Sequence, residues 1–301
     1  MPSPPLSLDP ALLAQIADLE LAARLIVEGA RLGSHRSPYT GTGAEFQQMR
    51  PYLPGDDLKH LDWKHYGRTD RLFTRVYRQT TEWPVMIAID TSGSMGFADG
   101  RALSKLRMAV LISAALTYLL VQQGEAVGLV GHGEEVAASL PARTGHAHMV
   151  RMLGTLAGLN AAGQTDLAGA LRRAVSRLGR RGCLVLISDL YGVPGWHGTM
   201  REARRMGHEV VVFHVLTPDE RILSGADAVE FVDLETGQRL VTEGAAVRAA
   251  YTARMTAFVS EQRTLAHADG ITFVAADTSR AIDDVLRDFM RQRAPQAGGV
   301  R

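Results

Sequence analysis

A single cysteine, Cys183, occurs in the 301 residues. Neither an intramolecular disulfide nor a cysteine-ligated zinc site is open to this chain. Cys183 lies in the apolar run Cys183-Leu184-Val185-Leu186-Ile187 and reads as a small buried hydrophobe, not a nucleophile. An excess of one sign of charge is missing too. The net of +1 excludes binding to polyelectrolytes through overall charge. Between Arg50 and Arg78, seven basic residues outnumber four acidic ones. Their signs interleave, as on a solvated, ion-paired face, and no nucleic-acid partner is expected. Long hydrophobic runs are also absent. The longest, Met108 to Val121, has 14 residues and is broken by Ser113, Thr117 and Tyr118, against roughly 20 for a bilayer span. It reads as a central buried helix. No basic segment followed by an apolar core opens the chain, so a cytoplasmic protein without a membrane span is expected. No Gly-rich loop ending in Lys-Ser/Thr is present, and neither His146/His148 nor His60/His65 has zinc-motif spacing. Nucleotide hydrolysis and zinc hydrolysis by those motifs are not expected.

What is present is ordinary globular composition, 46% hydrophobic and 22% charged, enough for one large domain with an attachment. Asp9 to Leu32 predicts a helix, with Asp9 as cap, Pro10 in the first turn, and apolar residues at three- and four-residue spacing. Gly33 to Asp70 has no clear period. From Trp83 onward, strand and helix signals alternate. Buried strands are expected at Val85–Ile89, Ala126–Gly131, Cys183–Ser188, Glu209–Leu216 and Ile271–Ala275, with an edge strand near Glu135–Leu140. Helices are expected between them, and a long one over Ala246–His267. The pattern predicts an α/β fold: a doubly wound, mostly parallel sheet with helices on both faces. A hairpin near 229–241, around Glu235-Thr236-Gly237, interrupts it. The expected organisation is an amino-terminal helix and irregular block over 1–82 packed on the core, the α/β domain over 83–293, and a flexible tail over 294–301.

Three loops at the carboxyl ends of expected strands carry hard oxygen donors: Asp90-Thr91-Ser92-Gly93-Ser94, Gly163-Gln164-Thr165-Asp166 and Ser188-Asp189-Leu190. Ligands of open α/β sheets bind at that end. Two-residue steps from Asp90 to Ser92 to Ser94 let one tight turn aim three side chains at a point. Carboxylates and hydroxyls suit Mg²⁺, Mn²⁺ or Ca²⁺. A plainer reading has Asp90 and Asp189 capping the next helices and the serines satisfying turn backbone.

In order and spacing, Asp90, Ser92, Ser94, Thr165 and Asp189 resemble the metal-ion-dependent adhesion site of von Willebrand factor A domains. The resemblance implies that the three hydroxyls approach the metal and that the two carboxylates act directly or through water. An acidic group of a partner would fill a vacant position. A second block is more specific: Gly43-Ala44-Glu45-Phe46, Arg50-Pro51-Tyr52-Leu53-Pro54-Gly55-Asp56-Asp57 and Leu61-Asp62-Trp63. It resembles the signature of the DUF fifty-eight family, bacterial proteins of unknown function related to von Willebrand A domains. The family is typically associated with MoxR-type AAA+ ATPases. Many relatives carry amino-terminal membrane spans where this chain has only a helix.

The resemblance implies a non-enzymatic protein-binding module, an adaptor or co-chaperone of a MoxR-type AAA+ ATPase or of a client supplying an acidic ligand. Its cofactor would be a divalent cation, Mg²⁺ before Mn²⁺ or Ca²⁺. Asp56, Asp57, Asp62 and Trp63 are candidate partner-binding residues, with a turn and an anchoring ring as the structural alternative. The alternatives to the adaptor are a metal-assisted hydrolase using Asp90 and Asp189, and a metal-free structural scaffold.

Overall fold

Strand propensity, full burial and a period of two meet in Val85-Met86-Ile87-Ala88-Ile89, and the fold is laid out around this run. A computed structural model describes residues 10–32, 46–52, 61–77, 83–99, 103–132, 138–164, 166–179, 181–192, 195–223 and 228–293. The elements in chain order begin with α1 (Pro10–Leu32), β1 (Phe46–Pro51), α2 (Trp63–Thr69), β2 (Phe73–Tyr77), β3 (Val85–Asp90), α3 (Lys105–Gln122), β4 (Val127–His132) and β5 (Ala138–Arg143). Next come α4 (His146–Ala157), α5 (Leu167–Ser176), β6 (Cys183–Ser188), α6 (Trp196–Arg205), β7 (Glu209–Leu216) and the short α7 (Pro218–Arg221). The chain closes with β8 (Ala228–Val232), β9 (Arg239–Glu243), α8 (Gly244–Ala268), β10 (Thr272–Asp277) and α9 (Ile282–Arg293).

The larger unit contains α1 and everything described from Trp83 onward. Its six-stranded sheet runs β10-β7-β6-β3-β4-β5, with only β5 antiparallel. Both faces are covered. Val85, Ile87 and Ile89 join Val185, Ile187, Val211 and Phe213 against α1, α3, α4 and α9, while Met86, Ala88, Leu184, Leu186 and Val212 face α5, α6 and α8. This is the expected doubly wound α/β architecture, with parallel strands buried on both sides. After β3 the chain turns to β4 on one side. The later strands β6, β7 and β10 build out on the other. The carboxyl ends of β3 and β6 therefore flank the point where strand order reverses, the natural crevice of such sheets.

Helix α3 begins at Ser104, whose hydroxyl accepts from the Arg107 N–H at 3.2 Å. It is apolar nearly all round because it lies between the sheet and the layer of α1, α4 and α9. By length and composition it would be long enough to cross a membrane, but 78% of it is buried within the protein. Leu19, Ala23, Val27 and Ala30 give α1 a buried stripe in the same layer. This helix falls in one compact unit with the α/β core.

The smaller unit is built from β1, α2 and β2. β1 and β2 pair antiparallel from Phe46↔Tyr77 to Pro51↔Phe73. Expectation placed no strand and no helix between Gly33 and Asp70. The run Phe-Gln-Gln-Met-Arg-Pro lacks alternation, and long-range pairing with β2 makes it a strand. Asp62 is buried and caps α2, its Oδ1 accepting from the His65 N–H at 3.0 Å. Trp63 is 63% exposed and meets Tyr66 edge-on with centroids 6.4 Å apart. Asp56, Asp57 and the tail 294–301 lie outside the described residues.

Burial in the helical layer sets an expected outcome for stability. Ile112→Ala removes a fully buried side chain of α3 and should cost about 2–5 kcal/mol in denaturant unfolding. Leu21→Ala, on the exposed face of α1, should stay within about 0.5 kcal/mol.

Candidate metal centre

The three oxygen-rich loops meet at the carboxyl ends of β3 and β6. Thr91 donates its N–H to the His132 carbonyl at 2.8 Å and accepts at its own carbonyl from Ala162 N–H at 2.9 Å. Gly93 N–H donates to the Gly163 carbonyl at 2.9 Å. The segment just before Thr165 is thereby tied to the Asp90–Ser94 turn, while Thr165 itself lies outside the described residues. Gly93 is required here. A Cβ at this position would come within 2.5 Å of the Leu234 carbonyl oxygen.

Asp90 is fully buried at the end of β3. Its Oδ1 accepts from the Ser92 N–H at 3.0 Å and its Oδ2 from the Ser188 hydroxyl at 2.6 Å. Ser188 in turn accepts from the Leu190 N–H at 2.9 Å. Burial first, and then repulsion from Asp189, pushes the Asp90 carboxyl up from 3.8 to about 6, against the pull of the Ser188 and Ser92 hydrogen bonds. Neither Asp90 nor Asp189 caps a helix. Each accepts from the N–H two residues on, at 3.0 Å in both cases, Ser92 for Asp90 and Tyr191 for Asp189. Of the three loop aspartates only Asp166 caps, with its Oδ1 accepting from the Gly169 N–H at 2.9 Å.

Asp189 has a charged partner that sequence reasoning missed. The Lys105 ammonium, wholly buried at the first residue of α3, lies 2.7 Å from Asp189 Oδ2 and 2.5 Å from Glu220 Oε1. It also sits 4.8 Å from the centre of the Tyr191 ring. Glu220 Oε2 accepts from the Thr217 N–H at 2.9 Å in a capping box that starts α7. The His214 imidazole hydrogen-bonds through Nε2 to the Asp189 carbonyl at 2.9 Å. That contact requires Nε2 to carry the proton, and burial pushes the imidazole down to about 4, so the ring is neutral. Leu190, buried, takes a left-handed φ of 61°. This backbone is strained for a leucine and turns the chain sharply after Asp189. One of these residues had a visible signal: Thr217-Pro218-Asp219-Glu220 spells a capping box.

The donor set suits a hard divalent cation. Ser92 Oγ and Ser94 Oγ are 3.1 Å apart. Neighbouring ligands on an octahedral Mg²⁺ at about 2.1 Å would be separated by ~3.0 Å. Asp90 has two neutral hydrogen-bond partners, and each carboxylate oxygen keeps a lone pair for a further contact. Ser92, Ser94, Asp90 and Asp189 would hold the cation, which would supply positive charge for an acidic ligand. Among the described residues no group of three or more His, Cys, Asp or Glu side chains forms a metal cage. A centre here must depend on hydroxyls. Beside it lies a cavity of about 540 Å³, lined by Ser94, Tyr191, Glu220, Phe231, Glu235 and Tyr251 among others.

The Asp90 shift gives an expected outcome with a definite sign. The folded value lies above the unfolded one, so folding favours the protonated form. The resulting penalty is absent below about pH 4, grows as pH rises toward 6, and is complete above it. With chelator present, Asp90→Asn should therefore stabilise the protein at pH 7.5 by about 1–3 kcal/mol. The gain should vanish near pH 4. Thermal unfolding at the two pH values checks this.

Comparison with known proteins agrees with the signature block. A family model described as "Protein of unknown function DUF58" matches residues 48–261. The uncharacterized protein Rv1480 of Mycobacterium tuberculosis is 32% identical over 232 residues, 76% of this chain and 73% of that protein. Among solved structures, BatB from Bacteroides thetaiotaomicron aligns with a TM-score of 0.43 at 16% identity, covering 70% of this chain and 98% of that one. The SpRpn10 VWA domain aligns with a TM-score of 0.42 at 11% identity, over 73% of this chain and 100% of its own. With more than half its length matched by the family model and a relative at this level of identity, the chain belongs to the DUF58 family of proteins of unknown function.

Proposed function

We propose that this protein is a non-enzymatic binding module. Its Asp90–Ser94 turn, with Asp189, takes a divalent cation, Mg²⁺ first, and through it an acidic group of another protein. The observation that carries this reading is the fully buried Asp90 carboxylate, met only by neutral hydrogen-bond partners, beside a Ser92/Ser94 hydroxyl pair at ligand spacing. A buried carboxylate of this kind gains most from a cation that remains open to a further ligand. The partner class we infer is a MoxR-type AAA+ ATPase or its client, with the protein acting as an adaptor in the cytoplasm. A hydrolase would need a general base aimed at the site. His214, the imidazole next to Asp189, is neutral and bonded to a backbone carbonyl, which favours binding over turnover.

One observation favours a second reading, a metal-free scaffold. Lys105 already supplies Asp189 with a positive charge at 2.7 Å. In that reading the lysine is the resident cation and no metal follows. Titration calorimetry separates the two. Under the metal reading, wild-type protein binds Mg²⁺ or Mn²⁺ and Asp90→Ala does not; equal binding by both removes the site. A purified MoxR-type ATPase should be retained on the immobilised protein with Mg²⁺ and released by chelator. Retention unchanged by chelator favours the scaffold. Lys105→Met strands Asp189 and Glu220 as buried, uncompensated charges and should cost about 3–5 kcal/mol of stability in the absence of metal. If a cation can replace the ammonium, added Mn²⁺ should recover part of that loss.

A further inference from the structure

The two edges of the six-stranded sheet are finished differently. At one edge, β5 (Ala138-Ser139-Leu140-Pro141-Ala142-Arg143) is blunted. Pro141 has no N–H to offer, the pairing with β4 shifts register between Val127 and Leu129, and the strand ends in a charge. At the other edge, β10 has none of these devices. Thr272-Phe273-Val274-Ala275-Ala276 holds no charge and no proline, and its register on β7 is unbroken from Thr272↔Val211 to Asp277↔Leu216. Among the described residues β7 is its only strand neighbour. Alternate residues of a strand turn their N–H and C=O groups to opposite sides, so part of the β10 backbone points outward.

Beside this edge lies a groove of about 780 Å³, floored by Ile271 to Ala275 and walled by α8 and α9. The two helices pack on opposite faces of the sheet, so the edge strand stands between them. Three guanidiniums, of Arg263, Arg280 and Arg291, line the groove against one carboxylate, that of Asp288. Asp288 is already shared, with Arg280 at 2.7 Å and Arg291 at 3.8 Å. Arg263 is exposed and lies 6.0 Å from the centre of the Phe273 ring. The rim therefore keeps a surplus of positive charge.

We propose that the β10 edge takes an extended acidic segment of another protein as an added strand. Backbone pairing supplies the register, and the charge of the rim selects the occupant. Side chains of an added strand alternate between the two faces of the sheet. Acidic residues on one face meet Arg263 of α8, and those on the other meet Arg280 and Arg291 beside α9. A second copy of this chain would bring the same guanidiniums to the contact and be repelled. Residues 294–301 hold no acidic side chain and include Pro295, which suits them poorly to this groove. The groove follows the amino-terminal half of β10, whereas the candidate metal centre lies at the carboxyl ends of β3 and β6. The two sites thus do not share residues.

Fluorescein-labelled Glu-Glu-Val-Thr-Glu-Glu is the probe, read by fluorescence anisotropy on the full chain. Its counterpart Lys-Lys-Val-Thr-Lys-Lys should not bind. Two further forms carry N-methyl groups on the odd or on the even amides. Only one alternate set of amides faces β10 in an added strand, so one form should lose binding and the other keep it. Arg263→Glu and Arg291→Glu should each weaken the acidic peptide about tenfold, while Arg172→Glu on α5 should match wild type. Hydrogen exchange should show amides of Ile271 to Ala275 gaining protection when the acidic peptide is added. Failure of the acidic peptide to bind, equal binding of the lysine peptide, or like behaviour of the two N-methylated forms overturns the proposal. So does protection of Ile271 to Ala275 in the absence of peptide that is lost on deleting 294–301 or on dilution, since the occupant is then the chain's own tail or a second copy.

Discussion

Asp90 and Asp189 end adjacent parallel strands with both side chains buried, and their mutual repulsion is the constraint on which this end of the molecule depends. Each carboxylate is handled differently. Asp189 receives an ammonium, delivered by Lys105 from the first residue of α3. Asp90 receives dipoles, from Ser92 and Ser188, and keeps an affinity for protons well above that of an ordinary aspartate. Two like charges treated in such unequal ways mark a site arranged for an additional charge. The same arrangement contributes little to folding, because buried ion pairs recover their desolvation cost poorly.

The backbone around the crevice reflects this use. Leu190 holds a left-handed conformation that a glycine would adopt more easily. The leucine side chain, however, is buried in the layer shared with α5 and α6. Packing on one side of the sheet thus holds in place the turn that carries Asp189, and strain and burial offset each other within one residue. Gly93 shows the opposite choice. There a side chain is excluded because the hairpin backbone passes through the space it would need.

Much of the architecture was legible in the residues. β3 and β6 announce themselves as apolar runs of strand length ending in aspartate, and the alternation of elements implies the doubly wound sheet. The Asp-Thr-Ser-Gly-Ser turn is readable because its donors are close in sequence. What failed to show is what depends on distant partners. β1 lacks strand periodicity and exists through its pairing with β2. The stripe on α1 was visible, but a stripe does not say which surface it meets; α3, α4 and α9 are its neighbours. The hairpin was visible as a hairpin, but the approach of the Leu234 carbonyl to Gly93 crosses more than a hundred residues of chain. Lys105 carries no sequence signal of its role, since nothing local tells a buried lysine from a solvated one. Asp62, for which the sequence leaves a partner contact and a structural role both open, caps α2.

The position of Lys105 carries one more consequence. It is the first residue of the most deeply buried helix, and that helix touches α1, α4 and α9 along its length. The ammonium that balances Asp189 is therefore rigidly joined to the whole helical layer on that face of the sheet. Any change in charge at the crevice that repels or releases this ammonium acts directly on the end of a stiff rod. The charge balance of the crevice and the packing of one face of the sheet thus meet in a single side chain.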